Sequence, residues 1–186
     1  MMVRLFFLVL TVGLLVACHD VKKQQQLEDV AALLSEMDSM QRVYNTHYTD
    51  TLPALLDRVR DVEREIKRGY GNDTIDLDMG RKLEAYRFIS RNIGPVQELG
   101  SEYSERAAEE RTDLLQLQKD IRAGSGDRSR YDNYIRLEKN KVTQLRVMLG
   151  DWFDTQQQCL ANYRDYHVEM QAYALRLRSG KPIHSI

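Results

Sequence analysis

The chain has 186 residues, with 27 basic and 28 acidic side chains and a net charge of −1. Both signs are interleaved along its length, and without a basic block or stripe there is no electrostatic footprint for nucleic acid. Two cysteines exclude a disulfide framework, and sparse Gly and Pro among abundant Leu, Gln, Glu, Arg and Tyr favour long helices.

The first element is apolar. Residues 5–17, interrupted only by Thr11 and Gly13, follow Arg4 and give way at once to His19-Asp20-Val21-Lys22-Lys23. Crossing a bilayer core takes about 20 apolar residues, so this segment is too short to span and reads as the core of a signal peptide. It ends in Leu15-Val16-Ala17 directly before Cys18. That arrangement resembles the signal peptide and lipobox of bacterial lipoproteins, in which a dedicated peptidase cuts before the cysteine. The resemblance implies cleavage between Ala17 and Cys18, a diacylglycerol on the Cys18 thiol, and a membrane anchor of three acyl chains, where a single chain would hold only marginally. An Asp directly after the cysteine favours retention in the inner membrane; His19 stands there instead, which points to the outer membrane. The resemblance covers the signal and four residues, and is silent on the fold that follows. The bland alternative is an ordinary secretory signal with an incidental Cys18.

After a short lipidated linker at 18–26, apolar residues recur at 3,4 spacing. The first stripe runs Leu27, Val30, Leu34, Met37, Gln41, Tyr44, Tyr48, Leu52, Leu55, Val59, Val62 and Ile66. Two fours in succession at Tyr44-Tyr48-Leu52 make a stutter that coincides with Pro53. Either the helix kinks there, or Thr49-Asp50-Thr51 caps a new helix with Pro53 in its first turn. The second stripe runs Leu83, Tyr86, Ile89, Ile93, Val96, Gly100, Tyr103, Ala107, Glu110, Leu114, Leu117 and Ile121, with a kink expected at Gly94-Pro95. The third runs Tyr131, Ile135, Glu138, Val142, Leu145, Leu149, Trp152, Gln156, Cys159, Tyr163, Tyr166, Met170, Tyr173 and Leu177, and stops before Gly180 and Pro182.

Glycine-bearing breaks at 69–73 and 123–127 separate these stripes, and connections so short place consecutive helices side by side and antiparallel. The expected fold is therefore all-α: an elongated up-down-up three-helix bundle over 27–179, with helices at about 27–68, 76–122 and 128–179 and a flexible tail at 180–186. At 1.5 Å per residue each helix would be roughly 70 Å long. The anchor and the 123–127 turn would lie at one end, and the 69–75 turn and the tail at the other.

Chemistry is sparse in this pattern. None of His19, His47, His167 and His184 belongs to a Glu-x-x-His or His-x-x-x-His pair, and Cys-x-x-Cys is missing, so no metal or other cofactor is implied. Gly-x-Ser-x-Gly does not occur, and Gly124-Ser125-Gly126 lacks the lysine of a phosphate loop. Cys159 falls on the third seam, where a thiol behaves as a small inert hydrophobe unless it serves redox chemistry or an intermolecular disulfide.

Ten tyrosines remain. Trp152, Tyr163, Tyr166 and Tyr173 either fill a core or form a strip that recognises a protein, peptide or glycan. The polar seam residues Gln41, Glu110, Glu138 and Gln156 either set register or mark where a partner enters. Two readings follow. One is a non-enzymatic, lipid-anchored envelope protein that acts as a scaffold or docking post for another envelope protein. The other is an accessory lipoprotein that binds a ligand in a Tyr/Trp-lined groove between kinked helices. The seams also permit self-association.

Overall fold

The computed structural model describes residues 2–69 and 77–179, with side chains from residue 21 onward. The expected turn at 70–75, the tail at 180–186 and the side chains of Ala17 and Cys18 lie outside the described residues. Among those described the fold is all-α: α1 (Met2–His47), α2 (Leu52–Gly69), α3 (Leu77–Ala123), a 3-10 turn (Arg128–Arg130) and α4 (Tyr131–Ser179). None of these helices is long and apolar enough to cross a membrane. The stretch expected as a linker at 18–26 has helical backbone and belongs to α1.

The stripe expected over 27–68 is carried by two helices. α1 stops at His47 and α2 starts at Leu52. The Thr49 hydroxyl accepts from the Thr51 amide at 3.3 Å, and the Thr51 carbonyl accepts from Leu55 N–H at 3.1 Å, which closes the first turn of α2. Pro53 lies in that turn, where a missing N–H breaks no intrahelical bond. Pro95 lies inside α3. At the far end of α3, Gly124 adopts φ +66°. Its amide donates to Ile121 O at 3.2 Å and the Ser125 amide to Asp120 O at 2.9 Å. This paired closure satisfies carbonyls that the helix end would leave orphaned, and it needs a residue free of a Cβ penalty at positive φ.

The chain divides into two compact units. The first comprises Met1–Val43 and Ser104–Val147. Its core takes Val30, Leu33, Met37 and Met40 from α1, Ala107, Leu114, Leu117 and Ile121 from α3, and Tyr131, Ile135, Val142 and Leu145 from α4. Polar ties surround it. Lys23 Nζ donates to Arg122 O at 2.7 Å, Gln26 Nε2 to Asp132 at 2.5 Å, and Arg111 pairs with Asp38 at 3.2 Å. Arg146 Nε reaches Glu36 at 2.6 Å.

The second unit comprises Tyr44–Tyr103 and Met148–Ile186. Leu56, Val59, Val62 and Ile66 of α2 are buried there, as are Tyr86, Ile89, Ile93 and Tyr103 of α3 and Trp152, Cys159, Met170 and Tyr173 of α4.

Two departures from the expected seams have physical causes. Tyr48 is 58% exposed, because α1 has already ended and the 3,4 period restarts in α2. On α4, Tyr163 and Tyr166 are half-buried, whereas their neighbours Asn162 and His167 are buried. The seam positions Met170 and Tyr173 beyond them are buried again, so the departure is local: the Asn162 amide bonds Ala85 O and the His167 ring meets the Tyr86 hydroxyl.

Candidate functional site

The aromatic residues of the second unit pack against one another. Trp152 is 2% exposed, and its ring lies 4.9 Å from that of Tyr44, which in turn lies 5.2 Å from Tyr103. Gly100 makes this arrangement fit: a Cβ there would sit 2.6 Å from Trp152 Nε1. Tyr173 is also buried. As the unit is folded, Trp152 and Tyr173 offer a ligand no surface. Burial pushes the Tyr103 hydroxyl up to about 12, and it has no hydrogen-bond partner among the described residues.

Buried polar residues of α4 bond within the unit. Gln156, 1% exposed, donates its amide to His47 O at 2.6 Å, satisfying the last carbonyl of α1. Asn162 donates to Ala85 O at 2.8 Å and accepts from Gln158. The Tyr86 hydroxyl lies 2.6 Å from His167 Nδ1, and the Tyr163 ring stacks on the imidazole at 4.2 Å. Burial, with Arg58 nearby, holds His167 below its ordinary range.

Cys159 is free, fully buried and has its thiol pushed up to about 11 by burial. The thiolate is the reactive form. Labelling with a thiol-specific reagent at neutral pH should therefore leave Cys159 unmodified in the folded chain and modify it fully in denaturant. Rapid labelling of the folded protein would contradict this.

In the first unit, Glu110 and Asp113 of α3 face Glu138 and Lys141 of α4. Oxygens of the three carboxylates lie within 4.8 Å of one another. Lys141 Nζ reaches all three, at 2.6 Å to Glu138, 3.3 Å to Glu110 and 3.4 Å to Asp113. One ammonium thus offsets part of the negative charge of three carboxylates. Glu110 is 4% exposed and its Oε1 has no hydrogen-bond partner among the described residues. Burial first, then Glu138, pushes its carboxyl up to about 7 against the pull of Lys141.

A cleft opens to solvent on the second unit, lined by Glu63, Ile66 and Lys67 of α2 and Leu83, Arg87, Ser90 and Arg91 of α3. Its volume is about 450 Å³. No family model, curated protein or solved structure matches the chain. The candidate site therefore rests on its own chemistry.

The residues singled out from the sequence do not line this cleft. Trp152 and Tyr173 are in the core, Tyr163 flanks His167, and Tyr166 is half-buried on α4. Apart from Ile66 and Leu83, which belong to the stripes, the cleft residues sit off the seams: Arg87 beside Tyr86, Ser90 beside Ile89, Arg91 midway between Ile89 and Ile93, and Glu63 and Lys67 beside Val62 and Ile66. The i,i+4 spacings of Glu63 with Lys67 and of Arg87 with Arg91 are the linear trace of the site. Such spacing is also what any solvated helix face shows.

Proposed function

We propose that the chain is a lipid-anchored, non-enzymatic protein of the bacterial cell envelope, held in the outer membrane through Cys18, that serves as a scaffold or docking post for another envelope protein. Its three segments are read as one elongated antiparallel bundle. Pairings within the units support that reading: in the first, Lys23 meets Arg122 and Asp38 meets Arg111, so α3 descends as α1 ascends. In the second, Asn162 meets Ala85 and Glu169 meets Lys82, so α4 ascends as α3 descends.

The observation that carries the scaffold reading is the burial of Trp152 and Tyr173, each 2% exposed. Aromatics that hold a core supply architecture, and the internal bond of Gln156 gives that seam polar a structural role. A Tyr/Trp-lined ligand groove finds no comparable support.

Two measurements test the proposal. Cys18→Ala is expected to release the protein from membranes and abolish acyl labelling; persistent labelling would remove the anchor from the account. Photo-crosslinking in cells from Tyr70 or Asn72 is expected to trap one recurrent envelope protein, and a clean failure to trap any would defeat the docking role.

A further inference from the structure

Three carboxylates of the first unit converge on one point. Lys141 Nζ marks that point, with Glu138 Oε2 at 2.6 Å, Glu110 Oε2 at 3.3 Å and Asp113 Oδ2 at 3.4 Å. α3 supplies Glu110 and Asp113 at i,i+3, and α4 supplies Glu138 and Lys141 at the same spacing. Residues so spaced are neighbours on a helix surface, so two facing turns present all four groups to each other.

The ammonium leaves this cluster incomplete. Three negative charges meet one positive charge. Glu110 is 4% exposed, and its Oε1 takes no hydrogen bond among the described residues. Glu138 Oε2 is buried and takes none either, because the ammonium touches it without hydrogen-bond alignment. Buried polar atoms in folded chains are nearly always paired. Two unpaired carboxylate oxygens beside a third carboxylate call for more positive charge than one ammonium brings.

We infer that Glu110, Asp113 and Glu138 form a calcium site for which the Lys141 ammonium competes. The donor set is all oxygen, which suits hard cations better than zinc or copper. Oxygens of the three groups lie within 4.8 Å of one another, a separation that two ligands of one calcium ion can span. From distances of 2.6–3.4 Å to the central point, calcium needs a smaller contraction, to about 2.3–2.6 Å, than magnesium at about 2.1 Å. The Asp113 side chain is 60% exposed, so water can reach the site and complete the calcium shell. Lys141 is 47% exposed, and its flexible stem lets the ammonium withdraw into solvent. That displacement opposes binding, so a dissociation constant of about 0.1–1 mM is expected, at the weak end for calcium sites.

The test is calorimetric titration of the full chain, in neutral detergent micelles, with calcium chloride. It is run near pH 8, above the range in which Glu110 keeps its proton. Saturable binding is expected, at least about fivefold tighter than that of magnesium. Lys141→Met removes the competitor and should tighten binding about tenfold; Glu110→Gln and Asp113→Asn should each weaken it about tenfold. Glu65→Gln, a change in the other unit at a residue paired with Arg68, should leave binding as it was. Calcium should also raise the urea midpoint of the parent and leave that of Glu110→Gln where it was.

No saturable binding up to about 10 mM calcium would overturn the inference, since the site would then be over 90% filled at the expected affinity. Equal binding by the parent and Glu110→Gln would overturn it as well, by showing association with surface carboxylates only. So would weaker binding by Lys141→Met, or magnesium bound as tightly as calcium.

Discussion

Trp152→Ala is expected to lower the stability of the second unit by about 3–5 kcal/mol, the range for emptying a large aromatic from a packed core. The side chain is 2% exposed and touches Tyr44 and the backbone of Gly100. Its indole fills a recess that three elements create together, so no single neighbour can relax into the space. The partner experiment is Gly100→Ala. A helix interior ordinarily gains about 0.5–1 kcal/mol from Gly→Ala. Here the new methyl would meet a rigid ring at 2.6 Å, so a net loss is expected, with overpacking costs of about 1–3 kcal/mol. Gly150, whose added Cβ meets nothing within 4 Å, supplies the contrast: Gly150→Ala should stabilise. Urea unfolding followed by far-ultraviolet circular dichroism measures all three, since Trp152 is the only tryptophan and cannot report its own removal. A loss under about 1 kcal/mol for Trp152→Ala would show that the indole does not hold this core.

The second large effect is a dependence on pH. Glu110 titrates near 4.5 as an ordinary glutamate and near 7 in the fold, so between those values the folded chain keeps a proton that unfolding releases. Stability contributed by this group therefore falls as pH rises from about 4.5 to 7 and is level beyond. At about 1.4 kcal/mol per pH unit, the change is on the order of 3 kcal/mol.

Other charges around Glu110 do not cancel the trend. Glu138 and Lys141 face it from α4 and Asp113 shares its helix, while on α1 Glu36 and Asp38 are engaged by Arg146 and Arg111. Asp127 and Asp132 are held below their ordinary 3.8 by hydrogen bonds from Ser129 and Gln26, so their contributions are lost only at more acid pH. Glu110→Gln keeps the shape without the charge. It should match the parent near pH 5 and exceed its stability by up to roughly 3 kcal/mol at pH 8. Parallel pH profiles for the two proteins would refute the assignment.

Much of the interior was legible in the spacing of apolar residues. Along α3 the stripe from Leu83 to Ile121 corresponds to buried positions throughout, because one uninterrupted helix keeps a 3,4 pattern in phase. Along α4 the extrapolation failed locally at Tyr163 and Tyr166, where Asn162 and His167 are buried instead through bonds to Ala85 O and the Tyr86 hydroxyl that spacing does not show. The α1–α2 junction carried its own signals in Thr49, Thr51 and Pro53. What stops α1 at His47 was less visible: its last carbonyl is taken by Gln156, 109 residues away in sequence.

The sequence by itself determined the all-α class, the long helices and the expectation of a lipid anchor at Cys18. Helix formation and signal recognition depend on local spacing, and local spacing is written in order along the chain. Tertiary structure alone decided that Trp152 is a wedge against Gly100, that Glu110 shares its carboxylate environment with Glu138 and Lys141, and that Lys67 and Arg87 face one cleft. Each depends on which faces of distant helices meet. Desolvation, steric fit and the pooling of charge arise only when those faces are brought together.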